Sequence, residues 1–241
     1  DDEDEFEEGD LDYTPIASSD AEWIRFDATL GPQLREVPSL SLEYLEGLAA
    51  DAEVDSRLAS ELADGYQRVG RIQGVPNDLN LGDFVKAEQN LAKAAAMMAV
   101  VLAAAPADPA AHNRAGGIAM DRMIVAFSER RDADAARFAQ DTADHLEMSL
   151  RGREAPIPGL RETVSAYCNV ALTFVNLHRP DEGVRYARRA LELARTDTSS
   201  DRPLSQALSQ LAVSLRAQGN VEEAMAVIRE AHALIDRLSY D

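Results

Sequence analysis

The sequence predicts an all-α fold: an α-solenoid of about four antiparallel helix pairs, preceded by an N-terminal capping pair. Three observations predict it. Hydrophobic residues make up 46% of the 241 residues and aromatics only 5%, a composition that suits close helix packing and suits β-sandwiches poorly. Apolar residues recur at helical spacing. The small residues Ala87, Ala136, Gly183 and Ala224 recur 49, 47 and 41 residues apart, which indicates an internal repeat.

The acidic residues are concentrated at the start of the chain. The formal net charge is −19, and residues 1–55 contain 18 aspartates and glutamates against only Arg25 and Arg35. Because a block of like charges repels itself and buries little apolar surface, residues 1–19 are predicted to be a disordered acidic linker. A solvating tether is the favoured interpretation, and a hook for a basic partner is the alternative.

Two amphipathic helices are predicted within residues 20–55, at residues 21–30 and 40–52. We expect this pair to cap the repeat domain, residues 56–241, because the terminal units of a stack differ from the internal ones. The predicted buried anchors of the pair are Trp23, Phe26, Tyr44 and Leu45.

The third and fourth helix pairs show the repeat most clearly. The fourth has the helix stop Gln218-Gly219-Asn220, followed by Glu222 and Glu223, which suit a first helical turn. The third has the turn His178-Arg179-Pro180, and proline also suits a first turn. The apolar and small positions are Tyr167, Val170, Ala171, Phe174, Gly183, Ala187 and Ala190 in the third pair, and Leu208, Leu211, Ala212, Leu215, Ala224, Ile228 and Ala231 in the fourth.

The first and second pairs follow the same layout less regularly. The first pair has a longer loop over residues 74–81, and the second turns at Arg130-Arg131-Asp132. Only glycine or alanine lets two helix backbones approach closely, so the small residues are predicted where the helices of a pair cross. The pattern positions are Tyr66, Val69, Gly70, Ala87, Leu91 and Ala94 in the first pair, and Met120, Met123, Ile124, Phe127, Ala136, Gln140 and Ala143 in the second.

These residues resemble the tetratricopeptide repeat over about residues 56–239. The second pair departs from the pattern of that family at Ile124 and Gln140, where small and large apolar residues are usual. The resemblance implies a stack of helix pairs whose first helices line a concave groove for a protein or peptide partner.

A narrower resemblance lies in the first pair. Residues 62–74 with 80–83, and the preceding residues 41–49, are similar to the repeat region of bacterial receptor-type serine/threonine protein kinases. In that family a kinase domain is followed by a membrane helix and then by helical repeats. The resemblance implies a parent signalling protein and an extracytoplasmic position for this chain. A free-standing cytoplasmic adaptor, or the effector-binding region of a transcriptional regulator, is the alternative.

The chain lacks an initiator methionine and a signal peptide, so we expect a fragment or a processed form.

The resemblance also implies which residues face a partner. They lie on the first helix of each pair, at positions that point into the groove. The predicted partner-binding residues are Asp64, Gln67 and Arg71 in the first pair, Asp121, Val125 and Ser128 in the second, Ser165, Cys168, Leu172 and Val175 in the third, and Gln206, Ser209, Val213 and Arg216 in the fourth.

No catalytic, cofactor or metal site is predicted. Phosphate-binding glycine loops, HExxH and CxxC motifs and kinase motifs are absent from the sequence. The four histidines are scattered, and Cys168 is the only cysteine. Nucleic-acid binding is not expected of an acidic chain without a basic stripe. The longest mainly apolar stretch, residues 94–107, is too short to span a bilayer. The expected partner is therefore a protein or peptide, with no cofactor.

Overall fold

Helices form most of the chain that the structure describes. This computed structural model describes residues 42–49, 52, 55–76, 80–152, 157, 159–196 and 200–238, all of which belong to one compact unit, Ser41–Asp241. The predicted acidic linker and the predicted helix at 21–30, with Trp23 and Phe26, lie outside these ranges. The helices are α1 (residues 42–49), α2 (Ser56–Gly74), α3 (Phe84–Ala104), α4 (Pro109–Ser128), α5 (Asp132–Leu150), α6 (Leu160–Asn176), α7 (Pro180–Ala194), α8 (Asp201–Gln218) and α9 (Val221–Leu238).

The last eight of these helices pair as four hairpins, and the described ranges contain no strand. The pairs are α2 with α3, α4 with α5, α6 with α7, and α8 with α9. This confirms the predicted all-α architecture of repeated antiparallel helix pairs.

Short polar side chains fix the starts of several helices. The Asp55 carboxylate accepts hydrogen bonds from the backbone N–H groups of Arg57 and Leu58, at 2.9 and 3.2 Å. Asp83 caps α3 and Asp108 caps α4 in the same way. Each cap satisfies N–H groups that have no partner within the helix, which is why aspartate is favoured there.

The turns of the last three hairpins share one conformation. Each contains a single left-handed residue: Arg130 (φ 57°), His178 (φ 58°) or Gly219 (φ 89°). Five residues beyond it come Ala135, Gly183 and Ala224, which are all buried. With Ala87, these residues are 48, 48 and 41 apart. The repeat is therefore more regular than the sequence alone predicts.

The register predicted for α5 is wrong by one residue. Ala136 is only partly buried, while Ala135 is fully buried. Gln140, predicted on the apolar face, is exposed and donates to Asp144 at 2.8 Å. One residue on a helix is a rotation of about 100°, so this slip turns a predicted contact residue away from its partner helix. The residues that occupy the predicted contact positions are Ala135 and Ala139.

Close backbone approach explains two of the small residues. A Cβ atom at Gly183 would lie 2.6 Å from Val175 Cγ2 and 3.1 Å from the Ala171 carbonyl oxygen. A Cβ atom at Gly70 would lie 2.9 Å from Leu91 Cγ. Helices α6 and α7, and likewise α2 and α3, therefore cross closely where the sequence predicts small residues.

The hydrophobic core divides along α4. Its first half, with Ala111, Ala115 and Ile118, packs with α1, α2 and α3. Its second half, with Met123 and Ala126, packs with α5 and the later hairpins. Neighbouring hairpins thus cover each other's apolar faces, as expected for a repeat stack.

Helix α1 covers the start of this stack through one of its two predicted anchors. Leu45 is buried, and its Cδ2 atom lies 2.7 Å from where a Cβ atom of Gly65 would be. Tyr44, by contrast, is 69% exposed. Because adjacent helical residues point in different directions, only one of the pair can face the core.

Candidate interaction surface

The predicted contact residues lie on the first helices α2, α4, α6 and α8, and most of them reach solvent. Those exposed or half-exposed are Asp64, Gln67, Arg71, Ser128, Ser165, Leu172, Val175, Gln206, Ser209, Val213 and Arg216. Three others, Asp121, Val125 and Cys168, are buried at 2, 0 and 4% exposure. These three point into the protein and are not available to a partner in this structure.

The second hairpin again differs from the prediction by one residue. Counting back from the left-handed residue of each turn, Leu172 and Val213 are both six positions away, and the equivalent residue in α4 is Ile124. The same count places Phe127 at the position of Val175 and Arg216. The predicted Val125 is thus one position too late and points into the core.

Asp121 has a structural role in the stack. Gln67 Nε2 and Arg71 Nε both donate to its Oδ2 atom, each at 2.7 Å. The carboxylate is buried whereas the Arg71 side chain is 41% exposed. Asp121 of the second hairpin therefore holds two side chains of the first, and three of the predicted contact residues form one hydrogen-bonded group.

An apolar stripe crosses the four first helices. Each contributes one large exposed hydrophobic side chain: Ile72 in α2, Phe127 in α4, Leu172 in α6 and Val213 in α8. Their exposed fractions are 37, 37, 41 and 37%. We call these four residues the apolar stripe. Leu172 and Val213 occupy equivalent positions of α6 and α8, whereas Phe127 lies three positions nearer its turn and Ile72 lies two residues from the end of α2.

Polar contacts between first helices fix how these helices align. Gln206 Nε2 of α8 donates to Ser165 Oγ of α6 at 3.2 Å. Leu172 and Val213 each come seven residues after this pair. Seven residues make about two helical turns, so both stripe residues lie on the same side of their helices as the hydrogen bond. The apolar stripe therefore runs from α6 to α8 on the side of the helices where the hydrogen bond between Ser165 and Gln206 lies.

The buried titratable groups of the third hairpin have structural surroundings. Burial raises the pKa of the Cys168 thiol to about 12, which keeps it protonated at neutral pH and therefore a poor nucleophile. Burial and the Glu147 carboxylate raise the pKa of Tyr167 far above its ordinary value, and its hydroxyl donates to Glu147 at 2.8 Å. Neither group is poised for catalysis.

The described ranges lack two other kinds of site. No cluster of three or more histidine, cysteine, aspartate or glutamate side chains is placed to hold a metal ion in this part of the chain. Among its helices, none is long and apolar enough to cross a membrane.

Sequence reasoning missed Ile72 and Phe127. A signal for both is present, because each is a large apolar residue within a few positions of the C-terminal end of a first helix, as Leu172 and Val213 are. If the contact positions are counted back from the end of each first helix, and not along its apolar pattern, Phe127 is one of them.

The fold and this surface define a repeat protein built from α-hairpins. The tetratricopeptide-repeat family matches the chain in two segments, residues 164–197 and residues 204–238. These segments contain most of α6 with α7, and α8 with α9. The last two hairpins are thus similar to tetratricopeptide repeats, and repeats of this class are typically scaffolds for protein–protein interaction. No curated protein matches the chain.

Several solved structures are similar to this chain at low identity and low TM-score. One is a protein described as a kinesin light chain with nearly identical TPR-like repeats, from Podosopora anserina, with 13% identity over 87% of this chain and 98% of that chain and a TM-score of 0.46. Another is BtubC (BKLC) from P. vanneervenii, with 18% identity over 88% and 92% and a TM-score of 0.45. A third is the MamA protein, with 11% identity over 85% and 95% and a TM-score of 0.40. The helix pairs of this chain define its fold.

Proposed function

We propose that this chain is a non-enzymatic interaction module that holds a segment of a partner protein along its first helices. The observation that carries the proposal is the apolar stripe. Each of the four first helices exposes one large hydrophobic side chain, although most such residues of the described chain are buried. Leu172 and Val213 occupy equivalent positions of their helices, and Phe127 lies three positions nearer its turn, so the row suits a segment that presents several apolar side chains.

Polar residues beside the stripe would give the contact its direction and register. Ser165 and Gln206 already share a hydrogen bond, and Ser209 and Arg216 are exposed on α8. Hydroxyl, amide and guanidinium groups can bind the backbone or an acidic side chain of a bound segment. We therefore assign the contact surface to the stripe together with Ser128, Ser165, Gln206, Ser209 and Arg216.

Peptide selection tests this proposal directly. Random 12-residue peptides displayed on phage would be selected on the full chain, and each enriched peptide would be titrated by calorimetry against the wild type and the L172E/V213E variant. We expect Kd to rise at least tenfold in the variant, because about 1.5–3 kcal/mol of favourable burial is lost for each large apolar side chain.

The matched control is V85E. Val85 is also an exposed large hydrophobic residue, but it lies on the second helix α3. This variant should bind the selected peptides like the wild type. Selected peptides that bind L172E/V213E as tightly as the wild type would exclude the stripe as the binding surface.

For the parent protein we propose a bacterial signalling protein such as a membrane-anchored serine/threonine kinase. The support is the resemblance of residues 41–49, 62–74 and 80–83 to the repeat regions of such kinases. Translating the gene upstream of Asp1 tests it: a membrane span preceded by kinase motifs is expected. A start codon would favour the free-standing adaptor, and a helix-turn-helix unit would favour a transcriptional regulator.

A further inference from the structure

Polar bridges join successive second helices, and one of these bridges recurs at the same positions in two seams. We count each second helix from its first residue. Between α5 and α7, Gln140 at position 9 accepts from the Tyr186 hydroxyl at 2.7 Å, and Glu147 at position 16 accepts from Arg189 Nε at 2.7 Å. Arg189 is at position 10 of α7.

The seam between α7 and α9 repeats the second of these bridges, and its first bridge begins at the same position but ends at a different one. Arg188 at position 9 donates to Glu223 at 2.8 Å, and Arg195, the residue directly after α7 and the sixteenth in this count, donates to Glu230 at 2.9 Å. Glu230 is at position 10 of α9. A bridge from position 16 to position 10 therefore occurs in both seams, with the charges reversed.

In the seam between α3 and α5, helix α3 has no polar side chain at the two positions from which the bridges of the other seams begin. Positions 9 and 16 of α3 are Ala92 and Ala99, whose methyl groups cannot form hydrogen bonds or ion pairs. Position 10 of α5 is Asp141. Asp141 could therefore form an ion pair across this seam. Helix α3, however, has no cationic side chain equivalent to Arg195 to bind it.

An open cleft lies at this seam. Its volume is about 360 Å³, which falls within the range of sites that take a ligand or a few side chains. Helix α3 provides one wall, α4 the floor and α5 the other wall. The lining residues are Ala95, Met98, Ala99, Leu102, Ala115, Ala119, Arg122, Phe138, Asp141 and His145.

The charges around the cleft favour a cation. Arg122 is already engaged, because its Nε and Nη2 atoms donate to Glu88 and its guanidinium lies 4.1 Å from the centroid of the Phe138 ring. Burial and the neighbouring His112 lower the pKa of His145, so that imidazole is neutral at pH 7. Arg122 and Glu88 offset each other, which leaves the Asp141 carboxylate as the uncompensated charge of the lining.

We propose that this cleft docks an amphipathic helix of a partner protein, with an aliphatic side chain against Ala95, Ala99 and Leu102 and an arginine or lysine against Asp141. The occupant would supply the group that α3 lacks and would complete the bridge that closes the other two seams. The site lies between the second helices α3 and α5, above α4, and contains no residue of the apolar stripe, so either site can exist without the other.

A designed peptide provides the probe. It is an acetylated, helix-forming 15-residue peptide with two leucines four residues apart and one arginine beside them, and its matched partner has glutamine in place of that arginine. Binding to the full chain is measured by fluorescence anisotropy at 150 mM NaCl, which screens the distant acidic residues. The position of the bound peptide is read from the methyl resonance of Met98 by NMR.

Five outcomes are expected. The arginine peptide binds at least tenfold more tightly than the glutamine peptide and shifts the Met98 resonance. D141N removes the difference between the two peptides. A99R places an arginine opposite Asp141, raises Tm and abolishes binding. If A99R does not fold, A99M fills the cleft without a charge and weakens both peptides. D144N, a change at a neighbouring exposed carboxylate, and L172E/V213E leave binding unchanged.

Three results would overturn the proposal. The first is equal affinity of the two peptides for the wild type. The second is a preference of D141N for the arginine peptide as large as that of the wild type, and the third is failure of the arginine peptide to bind at all. Because L172E/V213E tests the stripe separately, loss of one site is distinguishable from loss of the other.

Discussion

Glu147 of α5 and Arg189 of α7 join the second and third hairpins through two hydrogen bonds. Arg189 Nε donates to Oε1 at 2.7 Å, and Nη2 donates to Oε2 at 3.0 Å. Tyr167 of α6 donates to the same carboxylate. Burial alone would raise the pKa of Glu147, but the hydrogen bonds from Arg189 and Tyr167 outweigh it and lower the pKa.

The lowered pKa of Glu147 makes its contribution to stability depend on pH. The contribution is fully present above the unfolded pKa, about 4.3, and is lost as the pH falls through the lower folded pKa. We expect E147Q to cost about 1 kcal/mol at pH 7, since both partners are partly exposed, and nearly nothing at pH 2. Urea unfolding between pH 2 and pH 7 measures this. E192Q is the control, and an equal loss from E147Q at both pH values would contradict the expectation.

The crossing of α6 and α7 predicts that G183A is destabilising. The new methyl group would meet Val175 Cγ2 at 2.6 Å and a backbone oxygen at 3.1 Å, and such overpacking costs about 1–3 kcal/mol. Chemical denaturation gives the change in the free energy of unfolding. The control is G47A on α1, where a Cβ atom meets nothing within 4 Å. That variant should be neutral or slightly more stable, because alanine is the better helix former. A G183A protein as stable as the wild type would refute the close crossing.

The pair His112 and His145 predicts a second pH dependence. Their Nδ1 atoms are 3.0 Å apart, and His112 Nε2 is 2.9 Å from the Pro106 carbonyl oxygen, to which it donates. Burial and His112 lower the pKa of His145, opposed by Asp141 and Asp144. The unfolded chain therefore binds protons more readily, and stability falls as the pH drops below about 6.5. H145Q should lose this dependence between pH 7 and pH 5.5 in thermal unfolding, while H232Q, at an exposed site, should keep it.

Because Asp121 is buried, we expect its ion pair to contribute more to the free energy of unfolding than an exposed ion pair does. D121A removes the buried acceptor of Gln67 and Arg71 and should cost about 2–3 kcal/mol. D64A removes a partner of Arg114 whose side chain is 45% exposed, and exposed pairs contribute below about 1 kcal/mol. The comparison is made by urea denaturation of both variants. Equal losses would mean that the burial of Asp121 does not matter to its role.

Much of the fold follows from the sequence, because helix stops and small residues are local signals. The turns at Arg130, His178 and Gly219 come where they were predicted. The register of the second hairpin, by contrast, differs from the prediction by one residue. Eight of the ten residues 118–127 are apolar, and residues 135 and 136 are both alanine. Neither stretch therefore shows which side of its helix faces the core.

The candidate surface was predictable only in part for the same reason. In α6 and α8 polar and apolar residues alternate at helical spacing, so Ser165, Leu172, Gln206 and Val213 were placed correctly on the outside. Cys168, also predicted there, is a small residue that packs inside equally well. The cleft beside Ala99 and Asp141 could not be foreseen, because it becomes visible only when neighbouring second helices are compared in space.

The division of the core along α4 has a mechanical consequence. Within the described residues, the α3–α5 seam lacks the two bridges that join α5 to α7 and α7 to α9. Load across this junction should therefore pass through α4, whose first half packs with α2 and α3 and whose Asp121 and Arg122 bind side chains of the first hairpin. When the protein is stretched between its two ends, release of the first hairpin should require these bonds to break, so a single helix carries the force between the two parts of the core.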